Sequence, residues 1–262
     1  MGYDLHISRA EFWPDSTYYP ILERELADLI EREPDLWFEP DRKGQVPAHV
    51  HTSREDRVAG LPTEPSLRMF GWDDGLGVAE RGLAEPNGAE WLQVSRGQIQ
   101  RKYPGDAMIR RMAGIARSLD AWLEGDDGEL YVVDTDGQII SRERTVAERH
   151  PAWGTHGHRF LARDREHAWR TKNPIQVDEW LHVVAERADF RIDEHVEALL
   201  PSGRKRISCP PVAHWVGHPT SEPVPFFHDD DGGYVVVHHA DPPTIGCLTD
   251  LALRLNAAVR ED

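Results

Sequence analysis

The sequence predicts an α+β fold of two tandem β-α-β-β-β-α-β modules, each a mostly antiparallel sheet with two helices on one face. Three observations carry this. Two blocks of the chain repeat internally, one at a constant offset of 136 residues. Apolar residues follow a 3.6-residue period in the stretches entered through proline. Between them lie runs that alternate apolar and polar, joined by turns with glycine where a positive φ is needed.

The elements follow in order. "MGYDLHISRAEFW" (1–13) alternates Tyr3, Leu5 and Ile7 against Asp4, His6 and Ser8, the pattern of a half-buried strand. A tryptophan loop leads to a proline-started helix that buries Leu22, Leu26, Leu29 and Ile30. Its counterpart opens on Asn173-Pro174, read as N-cap and N1, and buries Val177, Trp180, Leu181 and Val184. Long variable loops are expected over 39–66 and 191–209. Strands follow at Leu67–Trp72 and Val212–Val216, then hairpins at 91–102 and 226–238. A second helix has apolar positions 108, 109, 112, 115, 116 and 119, and its counterpart is capped by Asp241-Pro242. Last strands are expected at Trp122–Glu124 and Val259–Glu261, the first continuing into Glu129–Val133.

The repeat itself is specific. Segment 97–126 lies over 233–262 without a gap, so Gly97 meets Gly233, Ile109 meets Ile245 and Leu119 meets Leu255. Segment 12–38 lies over 168–192 after a two-residue gap, matching Pro20 to Pro174 and Glu25 to Glu179. The expected organisation is a first module at 1–140, a linker at 141–156 and a second module at 157–262.

Composition excludes several classes. A net charge of -16 argues against nucleic acid as a partner, because phosphates would be repelled. No apolar run approaches the roughly 20 residues that span a bilayer, so no membrane role is expected. No basic-then-apolar leader opens the chain, and His6 stands where a myristoylation motif wants Ser or Thr. The expected location is the cytoplasm, with Cys209 and Cys247 as small buried thiols. Residues 1–140 carry 27 acidic against 15 basic side chains, so the first module would steer a basic protein partner.

Motifs for chemistry are few. There is no nucleophile elbow, dinucleotide fingerprint or P-loop, so no catalytic residue and no cofactor is assigned. Eleven of the fourteen histidines follow residue 140. His214, His218, His228 and Asp229 form an alternative, a metal site of a hydrolase, provided His214 and His228 share a sheet face. "GWDDGLG" (71–77) reads as a solvated turn and "GRKRIS" (203–208) as a solvated basic loop. Trp37, Phe38, Trp72, Trp91, Trp122, Trp153 and Trp215 lie near loops or strand ends. Some belong to the core; others, flanked by Asp and Glu, make an acidic aromatic surface of the kind that anchors protein interfaces.

The opening residues Met1, Tyr3, Asp4, Leu5, Ile7, Arg9 and Trp13, with Pro174-Ile175 and Glu179-Trp180, carry a resemblance. The chain resembles a loose group of bacterial proteins that begin M-x-Y-D-L-x-I-x-R-x-x-x-W and continue to P-I-x-x-x-E-W. That group typically holds one module, and here two stand in tandem over most of the length. It is similar to the cytoplasmic immunity or antitoxin proteins of bacterial toxin systems. The resemblance implies a protein that binds and neutralises a cognate toxin and carries over no catalytic motif. The expected contact residues are Trp72, Asp73, Asp74, Glu80, Glu85, Glu90 and Trp91. A third reading is a structural homo-oligomer paired through exposed sheet edges.

Overall fold

The structure, a computed structural model, describes residues 3–33, 36–39, 66–69, 90–149, 157–163, 172–220, 222–230 and 232–261. It is α+β and forms two compact units. The first comprises Met1–Glu148 with Ala198–Lys205, the second Arg149–Glu197 with Arg206–Asp262. No helix among the described residues is long and apolar enough to cross a membrane.

The first unit runs β1 (Asp4–Ser8), α1 (Glu23–Arg32), β2 (Leu36–Glu39), β3 (Ser66–Met69), β4 (Glu90–Ser95) and β5 (Gln98–Lys102). It continues through α2 (Asp106–Ser118), β6 (Trp122–Gly125), β7 (Leu130–Val133) and β8 (Ile139–Arg142). The eight strands form one antiparallel sheet in the order β2-β3-β4-β5-β1-β6-β7-β8. Leu5 and Ile7 of β1 share one core with Leu26, Leu29 and Ile30 of α1 and Met108, Met112 and Ile115 of α2. Both helices therefore cover the same sheet face, and alternation sends His6 and Ser8 to the other. β8 and the turn at Val146–Glu148, closed by the Arg142–Glu148 ion pair, extend this unit past residue 140.

The later elements are β9 (Arg159–Ala162), α3 (Val177–Ala185), β10 (Phe190–Leu200), β11 (Gly203–Trp215), β12 (Val224–Asp229), β13 (Tyr234–Val237), α4 (Pro242–Leu255) and β14 (Ala258–Glu261). Their strand order, β10-β11-β12-β13-β9-β14, repeats that of β2-β3-β4-β5-β1-β6. The second core gathers Trp180 and Val184 of α3, Leu248 and Leu251 of α4, and Leu161, Phe226, Val235 and Val237 from the strands.

The two units agree at the level of single bonds. Arg9 meets the Glu25 carboxylate with two hydrogen bonds of 2.8 Å and donates to the carbonyls of Leu119 and Pro20. Arg163 meets Glu179 and donates to the carbonyls of Leu255 and Pro174. The Ile21 amide donates to the Gly97 carbonyl at 2.8 Å, and the Ile175 amide to Gly233 at 2.8 Å. Asp120 and Asn256 end α2 and α4 at φ of 50° and 48°.

Two expectations need correction. Against the five strands of the module pattern the sheets have eight and six, because β2 and β10 follow the first helix directly and β7 and β8 extend the first sheet. The expected loop at 191–209 lies on β10 and β11, a long hairpin turning at Gly203, where φ is 112°. The strand signal is masked by polar residues, Asp193 and Glu194 on the edge strand β10 and Arg204 and Lys205 at the start of β11. Helix α3 begins at Val177 with Gln176 as its cap, three residues after Asn173. The Ile175 amide is already bonded to Gly233, which holds Pro174-Ile175 extended.

That proline–glycine contact sets a mutational expectation. At Gly97 φ is 76°, and an added Cβ would fall 2.7 Å from the Ser16 carbonyl oxygen and 2.8 Å from Pro20 Cα. Gly97→Ala is expected to lower unfolding free energy by about 2 kcal/mol or more in urea titrations. Gly114 of α2 has nothing within 4 Å of an added Cβ. Gly114→Ala should therefore raise stability by about 0.5–1 kcal/mol through helix propensity alone.

Candidate functional site: an acidic aromatic face of the first unit

The helix-free face of β1 meets two connections. One is the 3-10 turn Trp13–Thr17, entered from Phe12 with Pro14 in its first turn. The other is the β6–β7 turn, closed by Gly125 N–H to Glu129 O at 2.9 Å, with Gly128 at φ 82°. This second turn presents Asp126 and Asp127.

Asp126 organises the face. One carboxylate oxygen accepts the Asp4 amide at 2.9 Å, and the other lies 3.0 Å from His6 Nε2. The second ring nitrogen of His6 meets the Gln98 side-chain amide at 3.2 Å. The imidazole stacks on the Trp13 indole, with centroids 4.1 Å apart and planes within 2°. Phe12, 40% exposed, packs beside Trp13 at 6.2 Å. On the other side of the turn the Tyr131 hydroxyl donates to Tyr3 at 3.2 Å or to Glu129 at 3.1 Å. Burial raises the Tyr131 phenol, and the neighbouring Glu129 adds to the effect.

The helix-free face thus sets Phe12 and Trp13 beside Asp4, Asp126 and Asp127, while Tyr3 and Tyr131, with Glu129 beside them, pack against the core on the helix-covered side. Arg9, the one cation in the 3–13 segment, is buried against Glu25, and the exposed Lys102 stands across the strands from Asp4.

Beneath the patch lies a buried ion pair. Glu124, fully buried, accepts from Arg144 at 2.7 Å, and the Arg144 guanidinium sits 4.7 Å over the Trp122 ring. Burial pushes the Glu124 carboxyl up to about 7, against the pull of Arg144 and with a further push from Asp15.

In the second unit the positions of His6, Ser8, Gln98, Gln100 and Glu124 hold Phe160, Ala162, Tyr234, Val236 and Arg260. The polar face thus belongs to the first unit alone. Both nitrogens of His6 lie within hydrogen-bond distance of protein groups. The Ser8 hydroxyl accepts the Ala10 amide at 3.0 Å. Burial pushes the thiols of Cys209 and Cys247 up to about 12, where they are not nucleophiles at neutral pH.

The residues singled out from sequence are placed as follows. Trp72, Asp73, Asp74, Glu80 and Glu85 lie outside the described residues, and Glu90 and Trp91 begin β4. Trp122 and Trp215 are core residues, each 8% exposed. His214, His218, His228 and Asp229 are not brought together. Ala213 pairs with Phe226, so His214 and His228 point to opposite faces. His214 lies 3.0 Å from the His195 carbonyl; His218 is held between Thr220 and Asp241; His228 bridges Asp230 and the Ile175 carbonyl. The basic run 203–208 lies on β11, with Lys205 paired to Asp120 and Arg206 to Asp193. Phe12, Trp13 and Asp126 are not among the contact residues expected from sequence. Their signal was present as aromatics beside the acidic "GDDG" turn (125–128).

No protein-family model, no curated protein and no solved structure matches the chain.

Proposed function

We propose that the protein is a cytoplasmic binding protein of the immunity or antitoxin type, which neutralises a cognate basic protein toxin. The observation that carries this reading is the acidic aromatic patch of the first unit. Its aromatic rings offer anchor area and its carboxylates favour a cationic partner. Connection lengths support it. Residues 40–65 separate β2 from β3, and 70–89 separate β3 from β4, where the second unit uses 201–202 and 216–223. Long connections on a rigid scaffold are where binding residues concentrate. Segment 70–89 carries Trp72, Asp73, Asp74, Glu80 and Glu85 against the single cation Arg81. The shared strand order and paired Arg–Glu clamps further support an origin by tandem duplication. The two copies differ on the helix-free sheet face, where His6, Gln98 and Glu124 stand against Phe160, Tyr234 and Arg260.

The test is co-expression with the polypeptide encoded next to this chain, then titration calorimetry of the purified pair. A complex is expected whose association slows as salt rises. Phe12→Ala combined with Asp127→Asn is expected to weaken it by about 30-fold, equivalent to about 2 kcal/mol. Both residues are exposed, so the variant should unfold like the parent. No complex, or one indifferent to salt and to both substitutions, overturns the reading.

A further inference from the structure

We propose that His158 and His238, with His239 beside them, form a binding site for one divalent transition-metal ion of the zinc class. The argument starts from sheet register. Strands β9 and β13 are antiparallel, with Phe160 opposite Val236 and Arg159 opposite Val237. One further step of the same register sets His158 opposite His238. Side chains so placed have Cβ atoms about 4.5–5.5 Å apart. The rings accordingly stack with centroids 4.6 Å apart and planes 25° apart, and their ligating nitrogens approach within 4.8 Å. The His239 ring stands 6.0 Å from His158 and 6.3 Å from His238, a third imidazole beside the pair.

The first unit shows that this cluster is not a demand of the fold. Its corresponding cross-strand pair is Asp4 opposite Lys102, which needs no metal. Its Tyr103, at φ 46°, makes the same left-handed turn that His239 makes at φ 57°. The turn is therefore scaffold, and the second unit has set three imidazoles on it. Phe227, 5.4 Å from the His238 ring, supplies an apolar floor, and His238 is 8% exposed. Imidazole nitrogens suit Zn²⁺ and its neighbours. Two or three of them with water complete a tetrahedral shell, and the strand ends hold the donors in place. The three histidines belong to the second unit, and the proposal does not rest on the function proposed for the first.

The experiment uses the full chain without a histidine tag, stripped with chelator and titrated with Zn²⁺ and Co²⁺. The expected result is one ion per chain and visible d–d bands for Co²⁺. His158→Ala and His238→Ala are each expected to weaken binding by about 10-fold or more. His214→Ala and His218→Ala, in histidines held by other partners, should leave it unchanged. His158 is half-buried, so its variant serves where His238→Ala does not fold. Imidazole nitrogen resonances of the parent, shifting at His158 and His238 on Zn²⁺ addition, give a readout without substitution. Absence of a bound ion, binding unaltered in His158→Ala, or shifts confined to other histidines overturns the proposal.

Discussion

Glu25→Ala is expected to lower the unfolding free energy by about 3–4 kcal/mol, read from urea titrations at neutral pH. The reason is what it leaves behind. Arg9 is 7% exposed, and among the described residues Glu25 supplies the counter-charge bonded to its guanidinium. The remaining acceptors, the Leu119 and Pro20 carbonyls, hold the group but do not neutralise it. Glu25 also sits at the third position of α1 and accepts the Leu22 amide at 2.9 Å, so the same substitution uncaps the helix. Burial pushes the Glu25 carboxyl up, yet Arg9, the Leu22 amide and Arg24 together hold it below its ordinary value. Its contribution is therefore present above pH 4.5 and is lost as pH falls through the lowered value. Glu25→Gln keeps one acceptor for Arg9 and should cost about half as much. Glu179, at 38% exposure, is better solvated than Glu25, so Glu179→Ala should cost only about 1–2 kcal/mol. A loss below about 1 kcal/mol for Glu25→Ala would show that Arg9 is solvated in solution and that the clamp is not structural.

The clamp was legible in sequence only as a coincidence of matched residues. Arg9 and Glu25, and again Arg163 and Glu179, recur at equal separation, but nothing local says that they touch. What could be read was whatever obeys a short period. The alternation of β1, the glycine turns at Gly97 and Gly233 and the α2 stripe ending at Leu119 all stand where expected. So does the Asp241 cap, which accepts the Thr244 amide at 3.0 Å. What could not be read depends on partners far along the chain. His6 looked like a polar strand residue facing solvent, and it is 2% exposed because Asp126 and Gln98, about 120 and 92 positions away, close over it. β10 failed for another reason, since its first half alternates weakly and only Val196, Ala198 and Leu200 show the buried face.

The two units differ most on one sheet face. The helix-covered face holds nearly the same chemistry in both, because each needs an apolar core under two helices. The helix-free face does not, since His6, Gln98 and Glu124 give way to Phe160, Tyr234 and Arg260. A scaffold that tolerates both versions does not require either for folding. The polar version carries a cost in desolvation that an apolar face avoids. Its retention in the first unit is physically reasonable where the face orients Trp13 and the Asp126-Asp127 turn for a partner.

That cost should appear as a pH dependence. Glu124 is buried, and its carboxyl stands at about 7 against an ordinary 4.5. Burial raises it; Arg144 opposes, meeting one oxygen at 2.7 Å, while Oε1 has no partner among the described residues. A carboxyl raised on folding binds its proton more tightly in the folded state. Stability from this group is therefore fully present below pH 4.5 and is lost as pH rises through about 7. The loss amounts to about 3 kcal/mol at about 1.4 kcal/mol per unit. Opposing it, Glu148 and Asp189 are each held at about 2, by Arg142 and Arg187 respectively, and their contributions fade as pH falls toward that value. The unfolding free energy should accordingly peak on the acid side of neutrality, near the upper end of the ordinary carboxylate range. Glu124→Gln, which keeps a carbonyl for Arg144 and cannot ionise, should flatten the alkaline limb. Relative to the parent it should gain about 3 kcal/mol between pH 4.5 and pH 7.5, in urea titrations at each pH. Parallel curves for parent and variant would place Glu124 in its charged form throughout, fully compensated by Arg144, and would remove the desolvation cost from the account of this face.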